Sequence, residues 1–560
     1  MTALLTDNLP LLAGAPNGIK KLRELILELA VRGKLVPQDA SDEPASELLK
    51  RIAEQKAQLV SDGSTKKQKP LPGITQEETP FDVPSGWCWV RMGAVGETNI
   101  GLTYSPSNVG DIGIPVLRSS NVQKNQIDLS DLVRVDMPVK DSVLVQEGDL
   151  LICARNGSKA LVGKTAMLCN LTEPMAFGAF MAIFRSKLNP YVLRFINSPL
   201  FRKVIDDVNT TTINQITQNN LRTTLLPLPP LPEQYRIVAK VDELMALCDH
   251  LEAEQTDADK AHAQLVQALL ESLTQARDAA EFDTSWLRLA EHFHTLFSNE
   301  SSIDALKQTL LQLAVMGKLV PQDPSDEPAS ELLKHISEEK TRLVIEEGLL
   351  TTAREDVPEG EHYFTLRAGW ASCRLGNLAR FIDYRGRTPI KTPLGVPLIT
   401  AKNVRPGFIS REPQEFIAEA DYLPWMTRGF PRVGDLLFTT EAPMGNAALI
   451  DIAERFALAQ RVICFQLHEL GTGPFLKLAM MSSGFQAQLS DAATGMTATG
   501  IKSSRLKEIP VPIPPLLEQQ RIVAKVDQLM ALCDQLKMRL IQARQMNEQL
   551  ASTLVEQAVA

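Results

Sequence analysis

The stretch GSKALVGKT at residues 157–165 follows the apolar run DLLIC and ends as a nucleotide-binding loop ends. A phosphate-cradling loop needs Gly, four residues and then Gly-Lys-Ser/Thr. Here five residues separate Gly157 from Gly163, and Ser158 stands where the first glycine belongs. Pro174 then interrupts the segment that would have to run on as a helix with its N-terminus at the phosphate. LNPYV at 188–192 has the Asn-Pro and the aromatic of an amino-methyltransferase loop, but only one proline and no glycine-rich cofactor loop before it. His292 and His294 form a close pair with no Cys or further His at metal-binding spacing, and the seven cysteines contain no Cys-x-x-Cys pair. Glu338, Glu339 and Lys340 lie on a charged helical face, where solvation accounts for them. These patterns exclude nucleotide hydrolysis, zinc chemistry and metal-dependent strand cleavage as expectations for the chain; no catalytic apparatus is evident.

What organises the sequence is an internal repeat. LAVRGKLVPQDASDEPASELLKRI at 29–52 returns as LAVMGKLVPQDPSDEPASELLKHI at 313–336, with 21 of 24 positions identical. RIVAKVDELMALCD at 236–249 returns at 521–534 with 13 of 14 identical. Between these frames the match is weak: GWCWVRMG at 86–93 aligns with GWASCRLG at 369–376, and GIPVLRSSNV at 113–122 with GVPLITAKNV at 395–404, but little else does. Two like frames carry two unlike inserts of similar length. Such a pattern suits frames that meet one partner twice and inserts that recognise two different things.

The frames read as helices. Apolar residues Val526, Leu529, Cys533, Leu536, Leu540, Ala543, Leu550 and Leu554, with Asn547 among them, alternate by four and three as in a coiled-coil seam. Ile237, Val241, Leu244, Cys248 and Leu251 begin the same pattern in the first copy, which weakens at Ala258 and resumes at Leu265 and Leu269. Each long helix is predicted at about 40 residues, or ~60 Å. Shorter helices are predicted near 17–32 and 302–316, ended by Gly33 and Gly317. Polar stretches at 61–80 and 351–363 read as linkers. In the inserts, Gly-Asp turns precede apolar runs at 147–154 and 433–440, further strands are predicted at 177–184 and 461–467, and helices near 190–207 and 474–489. Each insert is therefore predicted to be an α/β globule.

At 560 residues the chain is long enough for about three or four domains. With 44% apolar and 22% charged residues it is neither disordered nor fibrous in composition. No run approaches the ~18 apolar residues of a membrane span, and Asp7 stands where a signal peptide needs a basic residue, so no membrane association and a cytoplasmic location are expected. The net charge of −9 is unevenly spread: residues 81–230 carry +2, residues 367–515 carry +5, and the rest −16. Weakly basic inserts on an acidic frame fit phosphate contact by the inserts.

The junctions PLPPLPEQ-RIVAKVDELMALCD and PIPPLLEQ-RIVAKVDQLMALCD, with LAVRGKLVPQD and LAVMGKLVPQD, resemble the conserved regions of the specificity subunit of type I restriction-modification enzymes. NGSKALVGKTA, FGAF and TTINQITQNNL in the first insert are similar to that family's target-recognition domains. The resemblance covers almost the whole chain. It implies an α+β multidomain protein with a pseudo-two-fold internal repeat, in which two α/β target-recognition domains, 81–230 and 367–515, are joined by long antiparallel coiled-coil helices. The remaining segments are an N-terminal conserved segment with linker (1–80), a central conserved region (231–366) and a C-terminal helix (516–560). It further implies a non-catalytic DNA-binding subunit, each domain reading one half of a bipartite site in double-stranded DNA. Two methyltransferase subunits would dock on it, and restriction/translocase subunits would join the full complex. No cofactor is expected in this chain; S-adenosylmethionine, ATP and Mg are implied for the partner subunits. Antiparallel frames would set half-sites roughly one turn, ~10 bp, apart.

On this reading the base and phosphate contacts come from polar loop residues beside the strands. In the first insert these are Ser119, Ser120, Asn121, Arg155, Asn156, Ser158 and Lys159, with Thr211, Thr212, Asn214 and Gln215 in a second loop. In the second insert they are Arg385, Arg387, Lys402, Asn403, Glu441, Asn446, Thr497, Thr499 and Lys502. Arg and Lys would read guanine, Asn and Gln adenine, and the hydroxyls mostly phosphate. The stiff junctions, Pro229, Pro230, Glu233 and Gln234 with Pro514, Pro515, Glu518 and Gln519, are expected to fix how each insert leaves its long helix and to lie where partners dock. Two other readings of the whole stay open: a specificity subunit for a fused restriction-methylation polypeptide, and a coiled-coil scaffold whose inserts bind proteins.

Overall fold

A computed structural model describes residues 12–63, 69–208, 214–347, 357–358, 361, 364–384, 388–494 and 500–559. The chain divides into two compact units, Met1–Asp257 with Ala543–Ala560, and Ala258–Gln542. Both are built to one plan.

In the first unit, helix α1 (Gly18–Val31) packs Ile19, Leu22 and Ile26 against Val241 and Cys248 near the start of the long helix α2 (Leu231–Gln275). Its Leu25 and Leu29 meet Val555 and Ala558, near the end of the other long helix. In the second unit, α3 (Glu300–Val315) uses Ile303, Leu306, Leu310 and Leu313 in the same way. It buries them with Val266, Leu270 and Leu273 from the end of α2 and Cys533 from the first half of α4 (Leu516–Val559). Each short helix is thus held by the beginning of one long helix and the end of the other.

Gly33 and Gly317 stop the short helices with φ of +66° and +70°. Lys34 and Lys318 donate their backbone N–H groups to Leu29 and Leu313, the closing bond of a left-handed helix cap. Both glycines also lie against tryptophan: a Cβ on Gly33 would sit 3.0 Å from the Trp87 ring, and one on Gly317 2.7 Å from Trp370.

The seam expected along the long helices is present only in part. Val526, Cys533 and the half-buried Leu529, Leu536 and Leu540 face inward, whereas Ala543, Asn547 and Leu550 are exposed and the buried face resumes at Ala551. In α2 the same step takes burial from Leu251 to Val266, leaving Ala258 and Leu265 outside. The steps from Leu251 to Val266 and from Leu536 to Ala551 are each one residue longer than two heptads, which turns the apolar face. The physical reason is a change of company: across this step each helix leaves one unit and enters the other. A helix at Ala279–Glu291, with Trp286 stacked on Phe282, has no counterpart among the described residues of the first unit.

The inserts share one topology. The first has a sheet in the order β1-β4-β2-β3, formed by β1 (Glu97–Ile100), β2 (Leu150–Cys153), β3 (Thr165–Met167) and β4 (Met181–Arg185). The second has β5-β8-β6-β7, formed by β5 (Ala379–Asp383), β6 (Leu436–Thr440), β7 (Met444–Leu449) and β8 (Val462–Leu467). All neighbours are antiparallel. A second small sheet in each insert carries one parallel pair, Val116 and Leu117 beside Ala176 and Phe177, or Leu398 and Ile399 beside Ala457 and Leu458. The predicted helical regions are each two helices, Asn189–Ile196 and Pro199–Val208 in the first insert and Gly473–Met481 and Ser483–Ala492 in the second. No helix among the described residues is long and apolar enough to cross a membrane.

Candidate nucleic-acid interface

The paired strands give a residue-by-residue correspondence between the two inserts. Met181 lies opposite Cys153 in the first, and Val462 opposite Thr439 in the second. One residue beyond each of these pairs, Ala154 N–H donates to the Phe180 carbonyl at 2.9 Å, and Thr440 N–H to that of Arg461 at 3.1 Å. Ile216 N–H then donates to Ala154, and Ile501 N–H to Thr440. Finally, Arg155 bridges to Gln215, and Glu441 to Gly500. Arg155 and Glu441 therefore occupy the same place, as do Phe180 and Arg461.

Their chemistry differs. The exposed Arg155 guanidinium lies 5.3 Å from the centroid of the Phe180 ring, which is itself 61% exposed. At the same place in the second insert Arg461 pairs with Glu441 across 3.6 Å, both partly open to solvent. Phe180 and Arg461 were not among the sequence candidates. Their shared position becomes visible only when FGAFM and LAQRV are aligned through strand pairing, with Phe180 opposite Arg461.

Around Arg155 the structure gathers most of the first insert's candidates. Asn156 N–H donates to the Asn214 carbonyl at 3.2 Å, and the Asn214 amide donates to Gly157 O at 3.0 Å. Asn156 Oδ1 accepts from Ser158 N–H, and Lys159 Nζ lies 3.2 Å from Asp206. These bonds join two loops into one surface beyond the ends of β2 and β4, bearing Arg155, Ser158 and Lys159 on its exposed side. In the second insert, Lys402 and Arg461 share with Lys391, Thr388 and Gln460 the lining of an open groove of about 260 Å³. Lys402 and Lys502 are exposed, as is Ser120, while Ser119 is half-buried. Thr211, Thr212, Arg385, Arg387, Thr497 and Thr499 lie outside the described residues.

Asn121 and Asn403 require correction. Both are buried, at 0% and 2% exposure, and both amides are fully engaged within their own loops. Asn121 Oδ1 accepts from Arg118 N–H, and its Nδ2 donates to the carbonyls of Asp128 and Asp131. Asn403 accepts from Thr400 and donates to the carbonyls of Ser410 and Pro413, the same two offsets along the chain. These side chains hold a loop shape and have nothing left for a base. Asn446 is likewise tied to the Val404 carbonyl at 2.9 Å.

The loops so held end in short hairpins. Val122 and Gln123 pair with Ile127 and Gln126 through Lys124 and Asn125, both at positive φ, as a two-residue hairpin turn requires. Val404 and Arg405 pair with Ile409 and Phe408 through Pro406 and Gly407. The first tip presents Gln123, Lys124, Asn125 and Gln126 to solvent; the second presents Arg405 and a Phe408 that is 60% exposed.

The junctions also depart from expectation. Pro229, Pro230, Glu233 and Gln234, and equally Pro514, Pro515, Glu518 and Gln519, are buried, so they form no docking surface. Gln234 Nε2 donates to the Pro229 carbonyl and Gln519 Nε2 to that of Pro514, each at 2.9 Å. Trp87 Nε1 donates to Glu233 at 2.9 Å and Trp370 Nε1 to Glu518 at 3.1 Å. Burial raises both carboxyls above the ordinary glutamate range, and the indole donors oppose that rise. Arg236 and Arg521 anchor the next turn on Asp42 and Asp326. These bonds fix each insert to its long helix, although Glu518 Oε1 and Gln519 Oε1 stay buried without a hydrogen-bond partner.

Gly163-Lys164 leads into strand β3, so no helix N-terminus faces the would-be phosphate loop. Among the described residues no three His, Cys, Asp or Glu side chains are grouped as a metal site.

Comparison with known proteins follows the repeat. The family model described as the type I restriction modification DNA specificity domain matches twice, at residues 84–258 and 369–543. The EcoAI specificity subunit of Escherichia coli, a type I restriction enzyme subunit, is 36% identical over 97% of this chain and 94% of its own length. The EcoEI specificity subunit of Escherichia coli is 34% identical with the same coverage. A solved chain from work on assembly and conformational transition of the type I R-M system shares the fold, with a TM-score of 0.50 at 18% identity over 86% of this chain and 99% of that one.

Proposed function

The chain belongs to the family of type I restriction-modification DNA specificity subunits, and from that premise we propose that it is the non-catalytic, sequence-reading subunit of such a complex. Each insert reads one half of a bipartite DNA site. The observation that carries this is the retention of one topology in both inserts while the exposed strand-end positions exchange Arg and Phe for Glu and Arg. A shared frame with altered surface chemistry is what two readers of different sequences require. Arginine suits guanine and a carboxylate accepts from the cytosine amino group. The helical frames dock two methyltransferase subunits, to which restriction/translocase subunits add; S-adenosylmethionine, ATP and Mg act in those partners.

Co-expression with the methyltransferase partner, followed by a genome-wide map of methylated adenine, tests the reading. The expected result is a bipartite motif, and replacement of residues 81–226 alone changes one half of it. A change in both halves would refute the assignment of one insert to one half. DNA binding that does not weaken with salt would instead support a protein-binding scaffold.

A further inference from the structure

We infer that the strand-end pair, Arg155 with Phe180 in the first insert and Glu441 with Arg461 in the second, sets the base preference of each half-site. The inference rests on the functional reading above and assigns it to particular side chains. Four backbone relationships put the pairs at one place: the strand register, the bond to the carbonyl of residue 180 or 461, the bond from Ile216 or Ile501, and the bridge to Gln215 or Gly500. At that place the frame is kept and the functional groups are not.

The first pair offers a forked cation supported by an aromatic ring. An exposed arginine side chain is costly to order; the Phe180 face 5.3 Å away gives the guanidinium a preferred plane without using any of its N–H donors. Five donors in a fixed plane suit the two acceptors on the major-groove edge of guanine. The second pair offers an acceptor beside a donor. Glu441 can accept from an amino group, and Arg461 at 3.6 Å limits the repulsion between that carboxylate and the DNA phosphates. Asn121 and Asn403, by contrast, are the same residue doing the same internal work in both inserts, so they cannot distinguish the two halves.

The test uses the full chain co-expressed with its methyltransferase partner. Exchange of the first pair (Arg155→Glu with Phe180→Arg) is expected to alter the base preference within one half of the methylation motif and leave the other half intact. The reciprocal exchange (Glu441→Arg with Arg461→Phe) is expected to alter only the other half. As a variant that keeps the charge but loses the planar fork, Arg155→Lys is assayed for binding to the wild-type duplex and to a duplex with that half-site scrambled. The ratio of the two affinities should fall by roughly 5- to 150-fold, with binding to unrelated DNA unchanged. Motifs unchanged in both exchange variants would overturn the inference. So would an Arg155→Lys protein with undiminished discrimination, or an Arg155→Ala protein that loses affinity equally for all sequences with a shallower salt dependence, which identifies a phosphate contact. A wild-type complex that yields no bipartite motif would overturn the functional reading itself.

Discussion

Replacing Trp87 by Phe isolates the lock between the first insert and its long helix. The substitution removes one donor, the indole N–H that lies 2.9 Å from Glu233, and leaves Gln38 Nε2 donating to the other carboxylate oxygen at 2.8 Å. A hydrogen bond to a charged group contributes about 1.5–3 kcal/mol, and the void left by the smaller ring costs about 1 kcal/mol more. The expected loss at neutral pH is therefore about 2.5–4 kcal/mol of local stability. It also depends on pH. Because burial raises the Glu233 carboxyl, its favourable contribution is fully present below the ordinary glutamate range and is lost as pH rises through the elevated titration. Removing the indole donor, which opposes that rise, deepens the loss, so Trp87→Phe costs little beyond the void, about 1 kcal/mol, in mild acid and most at neutral pH. Native-state hydrogen exchange of the start of the long helix is the suitable assay, since a two-unit protein has no single unfolding equilibrium. The Trp370–Glu518 lock in the other unit is an internal reference whose protection should not change. A loss below about 1 kcal/mol at neutral pH, the same loss in mild acid, or equal deprotection around both locks would refute the reasoning.

Other outcomes follow from the same geometry. Asn121→Ala leaves one backbone donor and two carbonyls of its loop without partners, about 2–4 kcal/mol; exchange protection at 118–132 should fall and one half-site should be lost, with Asn403→Ala doing the same to the other. Gly33→Ala places a Cβ 2.5 Å from Pro84 at a φ of +66° and should cost more than about 1 kcal/mol, measured by native-state hydrogen exchange within the first unit. His468, lowered to about 4 by burial, should stay neutral by NMR titration through the usual histidine range; its contribution to the second unit is present above that range and is lost as pH falls toward about 4.

The repeat, the helices and the central strands were legible because each leaves a periodic or duplicated trace in the sequence. The helix register was legible only to Leu251 and Leu540, since a heptad pattern does not reveal that a helix changes neighbours at mid-length. Asn121 and Asn403 looked like base readers because a polar loop residue has the same appearance whether its amide closes a loop or faces DNA. The junction residues looked superficial for a similar reason: Pro, Glu and Gln read as surface until Trp87 and Trp370 are seen to donate to the glutamates, and the glutamines to the proline carbonyls. Phe180 and Arg461 escaped notice because the inserts are too divergent to align before their strands are paired.

The sharing of each short helix between two distant stretches of chain has a consequence for synthesis. When α1 and the first half of α2 have left the ribosome, the residues that complete their unit, beginning at Ala543, are still about 290 positions away. At ~5–20 residues per second the nascent first unit waits about 15–60 s for its last helical turns. During that interval the Leu25 and Leu29 face lacks its final cover. A premature stop near the 3′ end of the message would thus injure the half of the protein made earliest.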